Sequence, residues 1–382
     1  MTRHSTHPKR FERIVIVAGG WSEEREVSLA SGKSMYDALM QSGRYASVSI
    51  IDAGQDLPTL VQDILNARPD VILNALHGVG GEDGVIQGVF EMLRIPYTHS
   101  GVTASALAMD KVLSRIIFEK AGIPVPTWKL CELNELRKLC NLSDLSDRSD
   151  LSYRSDLSNL NDLCNLCDLS DLANNARAPL AFPFVIKPRK EGSSVGVHII
   201  KSANALAEAL ATWNYGTQIL IEEYLQGKEI QTAVLNGTPL GTIEIRPCGE
   251  FFDYRSKYTP GGAAHIMPAD IPARAYEQVH EFAKTAYQML GCRGIARLDF
   301  IYVPPSTCGQ DAANSDGANG DAANRGGASE DAPAGTSYLL ELNSQPGMTE
   351  TSLVPDIAKY MGWSYLDVIE RMLCDVELNL VD

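Results

Sequence analysis

"IKPRKEGSSVGVHII", residues 186–200, decides the fold. An apolar strand ends in Lys187, a basic loop runs into Gly192, Ser193, Ser194 and Gly196, and a valine-rich strand resumes. Glycine and serine offer free backbone N–H groups and hydroxyls to an oxyanion, and the lysine adds charge. The order is not the G-x-x-x-x-G-K-[ST] of a P-loop, and no helical pattern follows it. The stretch reads as a β-hairpin whose tip can lie over phosphate. A surface hairpin with a flexible tip is the plainer alternative.

Downstream of the hairpin, "QILIEEYL", "GKEIQTAVLN" and "GTIEIRPCGEFFDYRSKYTPGG" continue an antiparallel pattern. "AYEQVHEFAKTAYQMLG" is an amphipathic helix, "IARLDFIYV" and "SYLLELN" are two further strands, and "PDIAKYMGWSYLDVIERML" is helical. Upstream the style differs. "RIVIVAGG" and "PDVILNALHG" read as buried strands, with helices over "SEEREVSLASGKSMYDALMQSG", acidic in its first turn, and over "GVIQGVFEMLRI". This βαβ rhythm predicts an open parallel sheet within residues 11–110. Ligands of such sheets gather at the carboxyl ends of strands, where Gly19–Ser22 and His77–Gly78 fall.

The chain has 382 residues, 45% of them hydrophobic, enough for two or three domains. Its formal charge of −15 is concentrated in two segments foreign to a globular fold. Residues 141–172 form a triplet repeat with Leu or Arg at every third position from 142 to 172, a period that fits neither helix nor strand. Residues 305–336 are Gly/Ala/Asn/Asp-rich and read as a flexible loop. An acidic chain without a basic run argues against a nucleic-acid partner. The apolar run at the start, Ile14 to Ala18, is shorter than a signal peptide needs, and no stretch approaches the ~20 apolar residues of a membrane span. Eight scattered cysteines suit a reducing cytosol; the CxxC of Cys164 and Cys167 lies inside the repeat.

The chemistry concentrates in the last strand pair. Period 2 puts Arg297, Asp299 and Ile301 on one face and Leu298, Phe300 and Tyr302 on the other, while Glu341 and Asn343 share a face of the next strand. Adjacent strands then present Asp, Glu and Asn beside an Arg. Oxygen donors of this kind suit Mg²⁺ shared with substrate phosphates; a polar cluster in which Arg297 pairs with Asp299 is the alternative. "NSQPGM", residues 343–348, follows at once, and its glycine lets backbone approach a ligand or simply turns the chain. Lys111 lies on a helical stretch, where a solvated face is the default. Glu222, Glu223 and Glu229 lie near a strand-to-loop junction and could accept from an adenine amino group or ribose hydroxyls. His77 stands in "LHGVGGEDG", and Glu24 at a strand's carboxyl end could meet an ammonium or the helix dipole.

Seven stretches in order resemble the D-alanine–D-alanine ligases of the ATP-grasp superfamily: "GGWSEEREVSLASG", "ALHGVGGEDGVIQG", "YTHSGVTASALAMDK", "VIKPRKEGSSVGV", "YRSKY", "ARLDF" and "LELNSQPGMTETSLVP". The resemblance covers nearly all of the chain outside the two inserts. It implies an α/β ATP-grasp fold, α+β overall. A parallel α/β domain would span residues 1–110. A small central domain would span 111–226 with the insert 141–172, and a C-terminal mixed-sheet catalytic domain 227–382 with the insert 305–336. ATP would lie between two antiparallel sheets, with the Gly/Ser hairpin as a lid over its triphosphate. By motif match Lys111, Lys187 and Lys257 would contact phosphates, with Ser193 and Ser194 in the lid. Glu222 and the backbone of Leu225 would contact adenine, and Glu229 the ribose. Asp299, Glu341 and Asn343 would hold two Mg²⁺ ions, with Mn²⁺ able to substitute.

The implied activity is ATP-dependent joining of two D-alanines through a D-alanyl phosphate, for peptidoglycan precursor supply in a bacterial cytoplasm, by a homodimer. Glu24 and His77 would hold the first D-alanine, Ser352 and Leu353 the carboxylate of the second, and Arg297 with Gly347 the oxyanion. Ser193, Tyr258 and Glu24 match a hydrogen-bonded trio that closes the loop 255–268. The Lys257–Tyr258 pair goes in the family with D-alanine as second substrate; ligases using D-lactate or D-serine lack the tyrosine and form the nearest alternative, ahead of a non-catalytic ATP-binding protein. A dinucleotide oxidoreductase is disfavoured by the lack of G-x-G-x-x-G. Three residues depart from the pattern: Glu223 where Lys is frequent, Gln345 where a smaller residue is usual, and His99 where glycine is common.

Overall fold

The computed structural model describes residues 11–54, 56–140, 182–247, 263–305, 335–350, 352–374, 376 and 378. The repeat 141–172, most of the insert 305–336, and the loop positions Lys257 and Tyr258 lie outside them. Three sheets organise the rest.

The first sheet is parallel, in the order β2–β1–β3, built from β1 (Arg13–Gly19), β2 (Ser47–Ala53) and β3 (Val71–Asn74). Ile14 through Ala18 are all buried, as a central strand covered on both faces requires. The cover comes from α1 (Arg25–Ser42), α2 (Leu57–Ala67) and α3 (Val85–Leu93). Helix α1 packs closely because Gly32 has no side chain: a Cβ there would lie 2.6 Å from the Cβ of Ala18. The expected parallel sheet is present, with β2, an alternating strand, as one edge.

The second sheet is antiparallel, β4–β7–β5–β6, from β4 (Trp128–Glu132), β5 (Phe184–Pro188), β6 (His198–Ile200) and β7 (Gln218–Glu223). The opening stretch is therefore the hairpin β5–β6. Phe184, Ile186, Ile219 and Ile221 point to one core with α6 (Leu133–Leu139) and α7 (Ala203–Ala211). Alternation sends Val185, Lys187 and Glu222 to the opposite face.

The third sheet, β10–β9–β8–β11–β12, is antiparallel throughout: β8 (Lys228–Leu235), β9 (Thr238–Pro247), β10 (Ala263–Ile266), β11 (Ile295–Val303) and β12 (Thr336–Asn343). Leu298, Phe300 and Tyr302 are buried beneath α8 (Ala273–Met289). Helix α4 (Val102–Met109) leads into α5 (Lys111–Lys120), whose Phe118 enters the same core. Burying Phe118 and Phe300 fully contributes roughly 2–3 kcal/mol each. The closing helical stretch divides into α9 (Leu353–Tyr360) and α10 (Tyr365–Leu373), the second started by a Ser364–Asp367 capping box. Ile357 and Ile369 share a core with Ile14 and Leu73, so the first and third sheets are packed into one body.

Candidate active site

A cleft opens between the second and third sheets, walled by Lys111, Lys187 and Glu222 on one side and by Asp299 and Glu341 on the other. Val185, Val197, Ile199, Ile301 and Leu340 give it apolar surface, and Leu225 and Glu229 line its hinge end. This is the place for a ligand with a flat apolar part and a polyanionic tail.

The cations are placed by β5 and by the start of α5. Lys187 Nζ lies 2.7 Å from Oε1 of Glu222, diagonally across the β5–β7 pair, in which Glu222 stands opposite Val185. The other carboxylate oxygen of Glu222 takes Arg115, one turn along α5 from Lys111 and fully buried. Burial opposes the charge on Glu222, but Arg115 and Lys187 outweigh it and hold its carboxyl below the usual range. Burial pushes the Lys187 ammonium down to about 8, with Glu222 resisting and the positive charge of Arg115 and Lys111 adding to the fall. Lys111 is not on a solvated face. It is 7% exposed, donates to the Glu191 carbonyl, and stands 3.5 Å from Oε2 of Glu341. Asp110 caps α5 through the N–H groups of Val112 and Leu113, and it also binds Arg189 of the lid hairpin at 2.8 Å. The lid's base and Lys111 are thereby fixed to one another.

The opposite wall is the β11–β12 pair. Asp299 stands across from Glu341 and Arg297 across from Asn343. A register shift follows Asp299, so β12 carries one extra residue, Leu340, which also lines the cleft; bulges of this kind re-aim side chains beside sites. Arg297 binds both oxygens of Asp299, at 2.8 and 3.0 Å, and Asn343 Nδ2 donates to Asp299 at 3.3 Å. Two carboxylates and an amide oxygen, all half-buried or buried, form a hard oxygen set that fits Mg²⁺. The Arg297–Asp299 pair foreseen as the plainer reading is present within the same cluster.

At the far end the lid meets the first sheet. Ser193 and Ser194 both have left-handed backbone, φ 49° and 59°. A tight turn of this kind can leave successive backbone N–H groups free to meet an anion. Ser193 Oγ donates to Glu24, the residue that starts α1. Glu24 is closely enclosed: a Cβ on Gly78 would come within 2.9 Å of its Oε2. His77 lies 3.1 Å from Oε1 of Glu82 through Nδ1 and 3.4 Å from Ser31 Oγ through Nε2. Burial, with the nearby charge of Glu24, raises the Glu82 carboxyl, against the pull of His77. Gly347 follows Asn343 in the turn after β12, and a Cβ there would sit 3.2 Å from Ser352 Oγ. Ser352 accepts from the N–H of Thr349 at 3.0 Å and precedes Leu353, the first residue of α9, whose N-terminus offers backbone donors to a carboxylate.

Arg115, Glu82 and Ser31 were not singled out from sequence. Arg115 had a signal: it is four residues from Lys111 and so on the same helix face. Ser31 had none, since its contact with His77 spans elements. Of the departures, His99 has φ 71°, which explains why a glycine serves there. Its ring is buried beside Arg293, whose Nε donates to the His99 carbonyl at 2.8 Å; burial, with electrostatic opposition from His77 and Arg293, pushes its pKa down to about 3. Glu223 lines the cleft.

An ATP-grasp arrangement is thus defined by the fold: two antiparallel sheets clasping a cleft with lysines on one wall and paired carboxylates on the other. Residues 165–308 and 332–374 match the family described as D-ala D-ala ligase C-terminus, and 52–100 its N-terminus. Among curated relatives, a D-alanine–D-alanine ligase of Methylorubrum populi is 37% identical, covering 96% of this chain and 99% of its own. One of Granulibacter bethesdensis is 38% identical over 95% and 97%. The crystal structure of the Bacillus anthracis D-alanine–D-alanine ligase complexed with ATP superposes with a TM-score of 0.65 at 28% identity, over 94% of this chain and 95% of that one. The chain belongs to the D-alanine–D-alanine ligase family.

Proposed function

We propose that this protein joins two D-alanines at the expense of ATP, releasing ADP and phosphate, to supply a peptidoglycan precursor. The observation that carries the reading is the convergence on one cleft of Lys111 and Lys187 with the facing carboxylates Asp299 and Glu341. Adenine would sit against Val185 and Ile199 with its amino group toward Glu222, its ring edge on the backbone of Leu225 and its ribose on Glu229. An ionised Glu222 is the acceptor that an amino group needs. Lys111, Lys187 and Lys257 would meet the phosphates beneath the turn of Ser193 and Ser194. Asp299, Glu341 and Asn343 would hold two Mg²⁺ ions, which when bound neutralise charge on the transferred phosphoryl group.

The carboxylate of the first D-alanine attacks the γ-phosphorus, breaking the bond to ADP and giving an acyl phosphate. Glu24 holds that substrate's ammonium and His77 lies near its carboxylate; their work is alignment. The amine of the second D-alanine, anchored by its carboxylate at Ser352 and Leu353, then attacks the acyl carbon. Arg297 and the N–H of Gly347 stabilise the oxyanion until phosphate leaves. The Ser193–Glu24 contact, completed by Tyr258, closes the lid and keeps water from the acyl phosphate. The relatives carry the D-alanine name, which supports D-alanine over D-lactate or D-serine as acceptor. A homodimer in the cytoplasm is part of the same reading. The test is phosphate release from ATP and Mg²⁺ with D-alanine, L-alanine, and D-alanine plus D-lactate, with masses of the products. Release with D-alanine alone, and a D-Ala-D-Ala mass, is the expected result; release with no dipeptide, or mainly depsipeptide, refutes it.

A further inference from the structure

We propose that Gln345 is a positioning residue that sets the register between the two ends of the substrate site. Its side chain, 2% exposed, leaves the turn between Asn343 and Gly347 and crosses to the carboxyl end of β3 in the first sheet. There Oε1 accepts from Asn74 Nδ2 at 2.7 Å, and Nε2 donates to the Leu76 carbonyl. Asn74, fully buried, turns its own Oδ1 to the N–H of Leu76 at 3.2 Å and its backbone N–H to Thr98 Oγ1 at 3.1 Å. The amide of Gln345 thus completes a closed ring of hydrogen bonds around residues 74–76, one residue before His77. A second thread runs beside it: the Met348 N–H donates to Ser31 Oγ at 3.4 Å, and Ser31 touches His77 Nε2 at 3.4 Å.

The two threads leave the Asn343–Met348 turn on either side of Gly347; one ends at residues 74–76, just before His77, and the other at the His77 ring. The turn carries the oxyanion donor and follows the carboxylates; the β3 loop carries the histidine at the first D-alanine. No side chain without both a donor and an acceptor at this reach can bond Leu76 O and Asn74 Nδ2 together. This is a physical reason for a glutamine where a smaller residue is usual. The proposal rests on the reading of His77 and Gly347 as facing the first D-alanine.

The test compares purified Gln345→Met, which keeps the volume and loses both bonds, and Gln345→Glu, which keeps the acceptor but sets an oxygen against Leu76 O. Asn74→Asp removes the donor from the other side, and serves if a Gln345 variant does not fold. kcat, KM for D-alanine, KM for ATP and the ratio of phosphate released to dipeptide formed are measured for each. A shifted register is expected to lower kcat/KM for D-alanine roughly ten- to hundredfold, with KM for ATP within about twofold. The phosphate-to-dipeptide ratio should rise above that of the parent as water reaches the acyl phosphate. A folded variant with D-alanine kinetics and coupling ratio unchanged overturns the proposal, as does an equal loss for ATP and D-alanine. His77→Gln is measured alongside. If it leaves D-alanine kinetics intact, the reading of that end fails and the proposal with it; if it impairs them while the Gln345 variants are normal, only the positioning role fails.

Discussion

Raising the pH from 7 to 9 should weaken ATP binding through one buried lysine. Lys187 sits on the cleft wall with its ammonium pKa pushed down to about 8 by burial. Glu222 restrains the fall, and Arg115 and Lys111 add to it. A triphosphate beside it favours the charged form, so ATP binds the protonated enzyme and drives proton uptake wherever Lys187 is neutral beforehand. At pH 7 about nine-tenths of the free enzyme carries this proton and at pH 9 about one-tenth, which corresponds to about tenfold weaker binding and uptake of about half a proton at pH 8. Stability of the ligand-free protein responds with the opposite sign. The folded pKa is below the unfolded value, so the unfolded state binds the extra proton between about 8 and 10.5. In that window this group's contribution to stability rises with pH, by roughly 3 kcal/mol in all. Calorimetric titration with a non-hydrolysable ATP analogue, at pH 7, 8 and 9 in buffers of different ionisation heat, reads affinity and proton uptake together. Lys187→Met, which cannot titrate, should bind weakly and show a smaller pH dependence. An affinity flat from pH 7 to 9 without proton uptake would refute the reasoning.

Three further outcomes follow from the same geometry. Arg115→Met leaves the buried Glu222 with one of its two cations and should cost about 3–5 kcal/mol, read as a fall in Tm, with partial recovery in the double variant Arg115→Met/Glu222→Gln. Asp299→Asn should lower kcat at least roughly a hundredfold, because it weakens the oxygen set and frees the Arg297 aligned on it; chelation of divalent ions should stop phosphate release and added Mg²⁺ should restore it. Deleting residues 306–336 with a short connection should leave activity within a few-fold, since Tyr302 and Ser337, which remain, stand opposite one another and loop closure changes by only ~0.6 kcal/mol per doubling of length; a collapse of kcat would show that the insert supports the hairpin.

What could be read from the sequence was what rides on short-range periodicity. Strand alternation put Asp299 on the face opposite Leu298 and Phe300, and the pairing of β11 with β12 brought Glu341 to it. The hairpin 184–200 was equally readable, because a basic, glycine-rich tip between apolar runs has few other uses. The bulge at Leu340 was not, as an extra residue in a ladder depends on its partner strand. Lys111 looked like a surface residue from its own helix; its burial comes from contacts that span elements, with the Arg189–Glu191 loop and with Glu341 of β12. The helices 133–139 and 203–211 were passed over, being short segments whose burial comes from the sheet they cover. Tyr258, on which the choice of acceptor rests, lies outside the described residues.

The placement of charge explains why so costly a cluster is kept. Lys187, Arg115 and Glu222 are all buried, and burial alone disfavours each charge. With Glu222 ionised, the three carry a net charge of about +1 at pH 7, set on a wall that faces Asp299 and Glu341. The cleft therefore presents cations toward one side of a triphosphate and carboxylates toward the other, where divalent ions would bridge the difference. A polyanion entering with divalent cations would relieve both walls at once, the depressed lysine regaining its proton preference and the facing acids gaining cations. Binding energy would then be largest for a ligand that brings both, which is a physical basis for preferring a metal–nucleotide complex to either part alone.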